Sequence, residues 1–203
     1  AAWEEEYTDT TNFFCDGFAA DEEEYIEVRE HTEVGVEVIT VDKDSEIDYQ
    51  TTAPYDIGDY YNENGKEGIV FEVWDGGRHG KIVSLDTTKT QWDTRFLLSY
   101  FNAVSTNADS ETDGKANTDK IMARSDRNYF PAFTWCRAKG DSWYLPAKSE
   151  FMEIYHNRHA IYETMSKHDG VGLFGYHWSS TENDADSKLR VWGVHMGDGY
   201  TNY

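Results

Sequence analysis

Between residues 67 and 85 the chain reads Glu-Gly-Ile-Val-Phe-Glu-Val-Trp, then Asp-Gly-Gly-Arg-His-Gly, then Lys-Ile-Val-Ser-Leu. Two strand-forming runs flank glycines that accept the positive φ angles of a tight connection, which is the pattern of a β-hairpin. A phosphate-binding loop would end in GK[ST] and open a helix, and neither follows here. Antiparallel sheet is therefore the first constraint on the fold. Upstream, Tyr25–Arg29 and Val34–Val41 alternate as half-exposed strands do, and their β-branched residues favour strand over helix. DKDSEID at 42–48 reads as a turn.

Helical periodicity takes over further along. It predicts helices over Ala116–Arg124 and over Pro131–Lys139, where Pro131 suits a first turn and Gly140 a stop. Phe133, Trp135 and Cys136 would help fill a core. A third helix begins near Pro146 and runs through Phe151, Met152, Ile154 and Tyr155, with His159–Lys167 extending it or forming a short separate helix. From Gly170 the chain turns to Gly, Ser, Asn, Asp, Tyr and Trp, read as long polar loops with one further strand at Arg190–Met196. Alternation there puts Trp192, Val194 and Met196 on the core face and Val191, Gly193 and His195 on the outer face.

Charge narrows the function. The chain carries 39 acidic and 18 basic residues, a net charge of −21. Nucleic-acid affinity rests on clustered Lys and Arg, so no nucleic-acid partner is expected. No apolar run approaches the ~20 residues of a spanning helix, and AAWEEEYTD lacks the regions of a signal peptide. Disorder is disfavoured by 7 Trp, 14 Tyr and 10 Phe, which supply apolar area for a packed domain. Residues 1–59 hold 19 acidic and two basic side chains against 20 and 16 in the remainder, which argues for two units. The triplets Glu4–Glu6 and Glu22–Glu24 lack calcium-loop spacing and read as a solvated acidic face. Cys15 and Cys136 match no metal spacing, and Cys136 reads as a small buried helix residue.

Asp141-Ser-Trp-Tyr-Leu-Pro-Ala-Lys-Ser-Glu150 and Gly175-Tyr-His-Trp-Ser-Ser-Thr-Glu182 carry a resemblance. With Gly58-Asp-Tyr-Tyr, Asp75-Gly-Gly-Arg-His-Gly, Gly114-Lys-Ala-Asn-Thr and Tyr129-Phe-Pro-Ala-Phe-Thr-Trp-Cys in the same order, the chain resembles the bacterial "Fib_succ_major" paralogous domains. These belong to the C-type-lectin-like and formylglycine-generating-enzyme-like fold group. The resemblance covers 56–203 and implies an α+β, C-type-lectin-like domain of small twisted antiparallel sheets, two to three helices and long carboxy-terminal loops. Residues 1–55 would form a short acidic β-rich unit before it. Relatives generally continue into a further strand after a segment like Asp198–Tyr203. The sheet edge along 190–196 is thus expected to need the amino-terminal unit or a strand-pairing partner to cover it.

The functional expectation follows from the resemblance: a non-catalytic ligand-binding or adhesion module of an exported bacterial protein, extracellular or at the cell surface, its leader removed before Ala1. Some relatives are variable proteins of diversity-generating retroelements, whose terminal loops are rich in Asn, Asp, Tyr, His, Ser and Gly, as here. The expected ligand is a glycan or a protein, bound by Tyr176, His177, Asn183, Asp184, Asp186, His195, Asp198, Tyr200 and Asn202. Lectin EPN, QPD and WND motifs are missing, so neither a calcium site nor any other cofactor is expected. A structural domain of a surface assembly is the alternative. A formylglycine-generating-type enzyme needs a cysteine pair with copper, and Cys15 lies outside the recognised domain. Ser179 and Ser180 lack a GxSxG elbow, so they read as bend residues rather than nucleophiles. Trp178 and Trp192 are expected inside, propping the loop platform.

Overall fold

A computed structural model describes residues 31–40, 55–97, 105–183 and 190–202. The strands over Tyr25–Arg29, the 42–48 turn, the two acidic triplets and Cys15 lie outside these residues. Within them the fold is α+β, with small antiparallel sheets and four α-helices.

The hairpin is present as β4 (Lys66–Trp74) and β5 (His79–Val83), the centre of a four-stranded sheet with order β2-β5-β4-β3. Asp75, Gly76 and Gly77 all take positive φ in the connection. The outer strands are β2 (Val36–Thr40) and β3 (Tyr60–Glu63). A register shift between Val70 and Glu72 bends β4, and Ile69, Val70 and Phe71 are all fully buried because both faces of the sheet are covered. β1 (His31–Glu33) pairs with β6 (Thr88–Thr90) in a separate two-stranded ladder. Thus β1 and β2, from the stretch assigned to an amino-terminal unit, pair with strands of the following segment, and Val34 and Val36 share its core.

The helices are α1 (Gly114–Met122), α2 (Pro131–Ala138), α3 (Lys148–His156) and α4 (Arg158–Met165). Their starts follow local chemistry. Asp113 caps α1 by accepting from the Ala116 N–H at 2.8 Å, and Pro131 occupies the first turn of α2. Of the two readings of His159–Lys167, the separate helix holds, as α4 over Arg158–Met165, bringing the number to four where two or three were expected. Phe151 and Ile154 of α3, with Ile161 and Met165 of α4, pack against Ile69, Phe71 and Val83 of the sheet and against Val194 and Met196. A second cluster joins Ile121 of α1, Phe133 and Cys136 of α2, Trp92, Phe130 and Leu145.

The carboxy-terminal region departs from the long loops expected. It forms a third sheet, β7 (Tyr176–Glu182), β8 (Val191–His195) and β9 (Thr201–Asn202), in that spatial order. The edge expected to lie unpaired along 190–196 is paired on both sides: β7 lies on one flank, and Gly193 and Val194 face Asn202 and Thr201 of β9 on the other. Neither indole is an interior prop. Trp178 and Trp192 are both half-buried, Trp178 leaning on the second cluster and Trp192 carrying the Lys148 ammonium 3.7 Å from its ring centroid. Val194 and Met196 do enter the core, but Val191 on the opposite face also packs against a cluster, so neither face of β8 is free.

Candidate ligand-binding surface

The two motifs are the scaffold under this sheet. Tyr144 exchanges both backbone hydrogen bonds with Val36, fixing the Trp-Tyr-Leu-Pro segment to β2. The Ser180 N–H donates to the Pro146 carbonyl at 2.8 Å, and the Lys148 N–H donates to Thr181 Oγ1 at 3.1 Å. Thr181 Oγ1 in turn donates to the Ser110 carbonyl, and Asn117 Nδ2 donates to Ser180 Oγ. Ser179 Oγ donates to the Trp192 carbonyl at 2.7 Å across a register shift in β7. These hydroxyls are buried and committed to backbone and amide groups that would otherwise be unsatisfied.

Of the nine residues expected to bind, five come together at the end of the sheet. Tyr176 stands opposite His195 in the β7–β8 ladder, their rings 4.7 Å apart at 48°. His195 Nδ1 is 2.8 Å from Asp198 Oδ1, which also accepts from the Tyr200 N–H at 3.0 Å. A carboxylate can only accept, so Nδ1 carries the proton, and Nε2 of neutral His195 is an acceptor. The turn is closed by His195 N–H to the Tyr200 carbonyl and Gly199 N–H to the His195 carbonyl, each 2.8 Å. Gly199 is required there twice over, by φ +73° and by the Tyr155 ring, which a Cβ would meet at 2.4 Å. Asn202 is half-buried in β9 beside Gly193.

Two others turn inward. His177 is fully buried with its ring against Phe151, so it faces the core and not a ligand. Asn183 is 6% exposed and its N–H donates to the Arg190 carbonyl. Asp184 and Asp186 lie outside the described residues. Missed from the sequence was Phe174, 72% exposed and two residues before Tyr176, its ring 5.9 Å from that of Tyr162. An apolar ring within Gly-Leu-Phe-Gly, just ahead of a strand, was the available signal. Tyr176, 37% exposed, and Tyr200, 55% exposed, adjoin the carboxylate–imidazole pair, and Phe174 stands in water two residues ahead of Tyr176.

The Tyr200 N–H, then the His195 ring, hold the Asp198 carboxyl below the usual Asp range. This contribution is present above the ordinary Asp value and is lost as pH falls through the lowered folded-state value. Acidification through that window is therefore expected to loosen the turn and shift the Tyr200 amide resonance, with Asp198→Asn showing the loosened shift at every pH. A Tyr200 amide that titrates identically in the variant would show that Asp198 is not the cause.

A shallow groove of about 300 Å³ elsewhere is lined by Gly65, Glu67, Ser84, Leu85, Asp86, Lys139 and Trp143. Its cation, Lys139, is already bound to Asp86 and lies over the Trp135 ring, so little unsatisfied chemistry faces the opening. Among the described residues no group of three His, Cys, Asp or Glu side chains is arranged to hold a metal ion. No helix there is long and apolar enough to cross a membrane. Comparison of the chain with profiles of protein families, with curated proteins and with solved structures gives no match.

Proposed function

We propose that this protein is a non-catalytic ligand-binding module, taking a glycan or a protein on the surface formed by Phe174, Tyr176, His195, Asp198, Tyr200 and Asn202. The observation that carries the reading is the exposure of Tyr176 and Tyr200 beside a hydrogen-bonded carboxylate–imidazole pair, with Phe174 also in water just ahead of β7. Flat rings with few rotatable bonds offer contact area at low entropic cost, and adjacent carboxylate and imidazole groups give direction. The C-type-lectin-like assignment and an exported, cell-surface location belong to the same proposal and rest on the resemblance. So does diversification by a retroelement, which a template repeat in the flanking DNA covering codons 176–202 would support.

Cys136 weighs against the copper-cysteine alternative. It is a fully buried free thiol whose Sγ lies 3.5 Å from the Val34 carbonyl, and burial pushes it well above the ordinary thiol value, away from thiolate chemistry.

Screening on a glycan array and by capture of surface proteins, followed by a Tyr176→Ala, Tyr200→Ala double variant, tests the proposal. Aromatic anchors contribute about 1–2 kcal/mol each when truncated, so binding is expected to weaken at least about tenfold with the circular dichroism unchanged. A ligand held equally well by the double variant would move the site elsewhere.

A further inference from the structure

Glu33 ends β1 with its side chain fully buried, and neither carboxylate oxygen makes a well-formed hydrogen bond, the Trp178 backbone of β7 only turning toward it. Its neighbours offer little help to an anion. On β6 it stands opposite Thr88, and the titratable Lys89 of that strand is exposed. β7 packs against β1 with its Trp178 backbone turned toward the Glu33 carboxyl; of the titratable groups on β7, the His177 ring lies against Phe151 and Glu182 takes donors from Thr106 and Asn107. From α2 comes the Cys136 thiol. The cations near that thiol are engaged elsewhere: Arg137 with Asp119 and the Asp141 carbonyl, Lys139 with Asp86. A buried charge so placed is not tolerated when the group can instead keep its proton.

We propose that Glu33 is a proton-operated latch: β1 docks on β6 and β7 with Glu33 as the neutral acid, and loss of that proton releases the strand. Release is confined to β1, because β2 is pinned by five register pairs to β5, and Gly35 is held by Ser84 through both its N–H and its carbonyl. Burial raises the carboxyl well above its ordinary value, and the Trp178 backbone opposes this only in part. The docked state therefore keeps its full stability below the ordinary Glu value and loses it as pH rises from there toward the raised value. The latch stands independently of the proposed binding surface.

Hydrogen exchange of the full chain, corrected for intrinsic base catalysis, reads the opening of the His31–Glu33 and Thr88–Thr90 amides. The opening constant is expected to rise about tenfold per pH unit across that window in the native chain and to stay flat in Glu33→Gln. A flat native profile, or the same slope in the variant, would overturn the latch. Infrared spectroscopy reads the acid directly: a carboxylic-acid carbonyl band persisting after exposed carboxyls have ionised, and weakened in Glu33→Gln because burial also raises Glu182, is expected; a band that disappears with the exposed carboxyls, or that the variant leaves unchanged, would overturn the latch as well.

Discussion

Glu150→Ala is expected to reduce the free energy of unfolding by about 3–5 kcal/mol, because it strips one partner from a buried, hydrogen-bonded ion pair. The Glu150 side chain is 4% exposed and serves four donors. Oε1 accepts from Tyr144 Oη at 2.9 Å and pairs with Lys81 Nζ at 3.0 Å, while Oε2 accepts from the N–H groups of Ala147 at 2.8 Å and Gly114 at 3.1 Å. Burial works against the Lys81 charge but Glu150 and Glu72 outweigh it, and burial also pushes the Tyr144 phenol upward. The first turn of α3, the first residue of α1 and the four-stranded sheet thus meet at one carboxylate. Alanine leaves the Tyr144 hydroxyl and two backbone donors without their acceptor and Lys81 with Glu72 alone. Gln, which keeps one acceptor oxygen, is expected to fall about midway between the two. Urea unfolding of the three proteins decides it, and a loss under about 1 kcal/mol for alanine would mean that water replaces the carboxylate.

Glu182→Ala is expected to lose about 2–3 kcal/mol, with the damage local. Its carboxylate accepts from Thr106 N–H at 2.7 Å, Thr106 Oγ1 at 2.5 Å, Asn107 N–H at 3.0 Å and Ser105 Oγ at 3.2 Å. It fastens the 105–107 segment to the end of β7, where the Glu182 N–H also donates to the Ala108 carbonyl. Hydrogen exchange at Thr106 and Asn107 should lose protection, while the β4–β5 hairpin stays native. Unchanged protection at 106 would show that the backbone contact suffices.

Several elements were legible before any tertiary contact was known. Gly76 and Gly77 between two β-branched runs announce the hairpin, and Pro131 marks the first turn of α2. Trp-Ser-Ser-Thr-Glu was read as a bend between strand and loop whose hydroxyls serve backbone groups; Ser179 and Thr181 do serve them and Ser180 takes the Asn117 side-chain amide, but the segment is part of β7, with a register shift in place of the bend. The site was legible only in part. Tyr176, His195, Asp198, Tyr200 and Asn202 converge, whereas His177 and Asn183 have the same polar character and turn inward. Polar composition in 176–202 resembled wet loops, but most of the described residues there belong to β7, β8 and β9, and His177, Ser179, Ser180, Thr181, Glu182 and Asn183 are buried.

Periodicity, capping and turn preference act over a few residues, so the amino-acid sequence by itself determined the hairpin, the helix starts and the strand at β8. Burial of a polar or aromatic side chain depends on what arrives from elsewhere in the chain. Asn117 reaches Ser180 across 63 positions and Thr106 reaches Glu182 across 76. Only the tertiary structure could decide that His177 and Glu33 lie inside, that Trp178 and Trp192 lie half out, and that β9 pairs with β8, because those outcomes are set by long-range packing rather than by local preference.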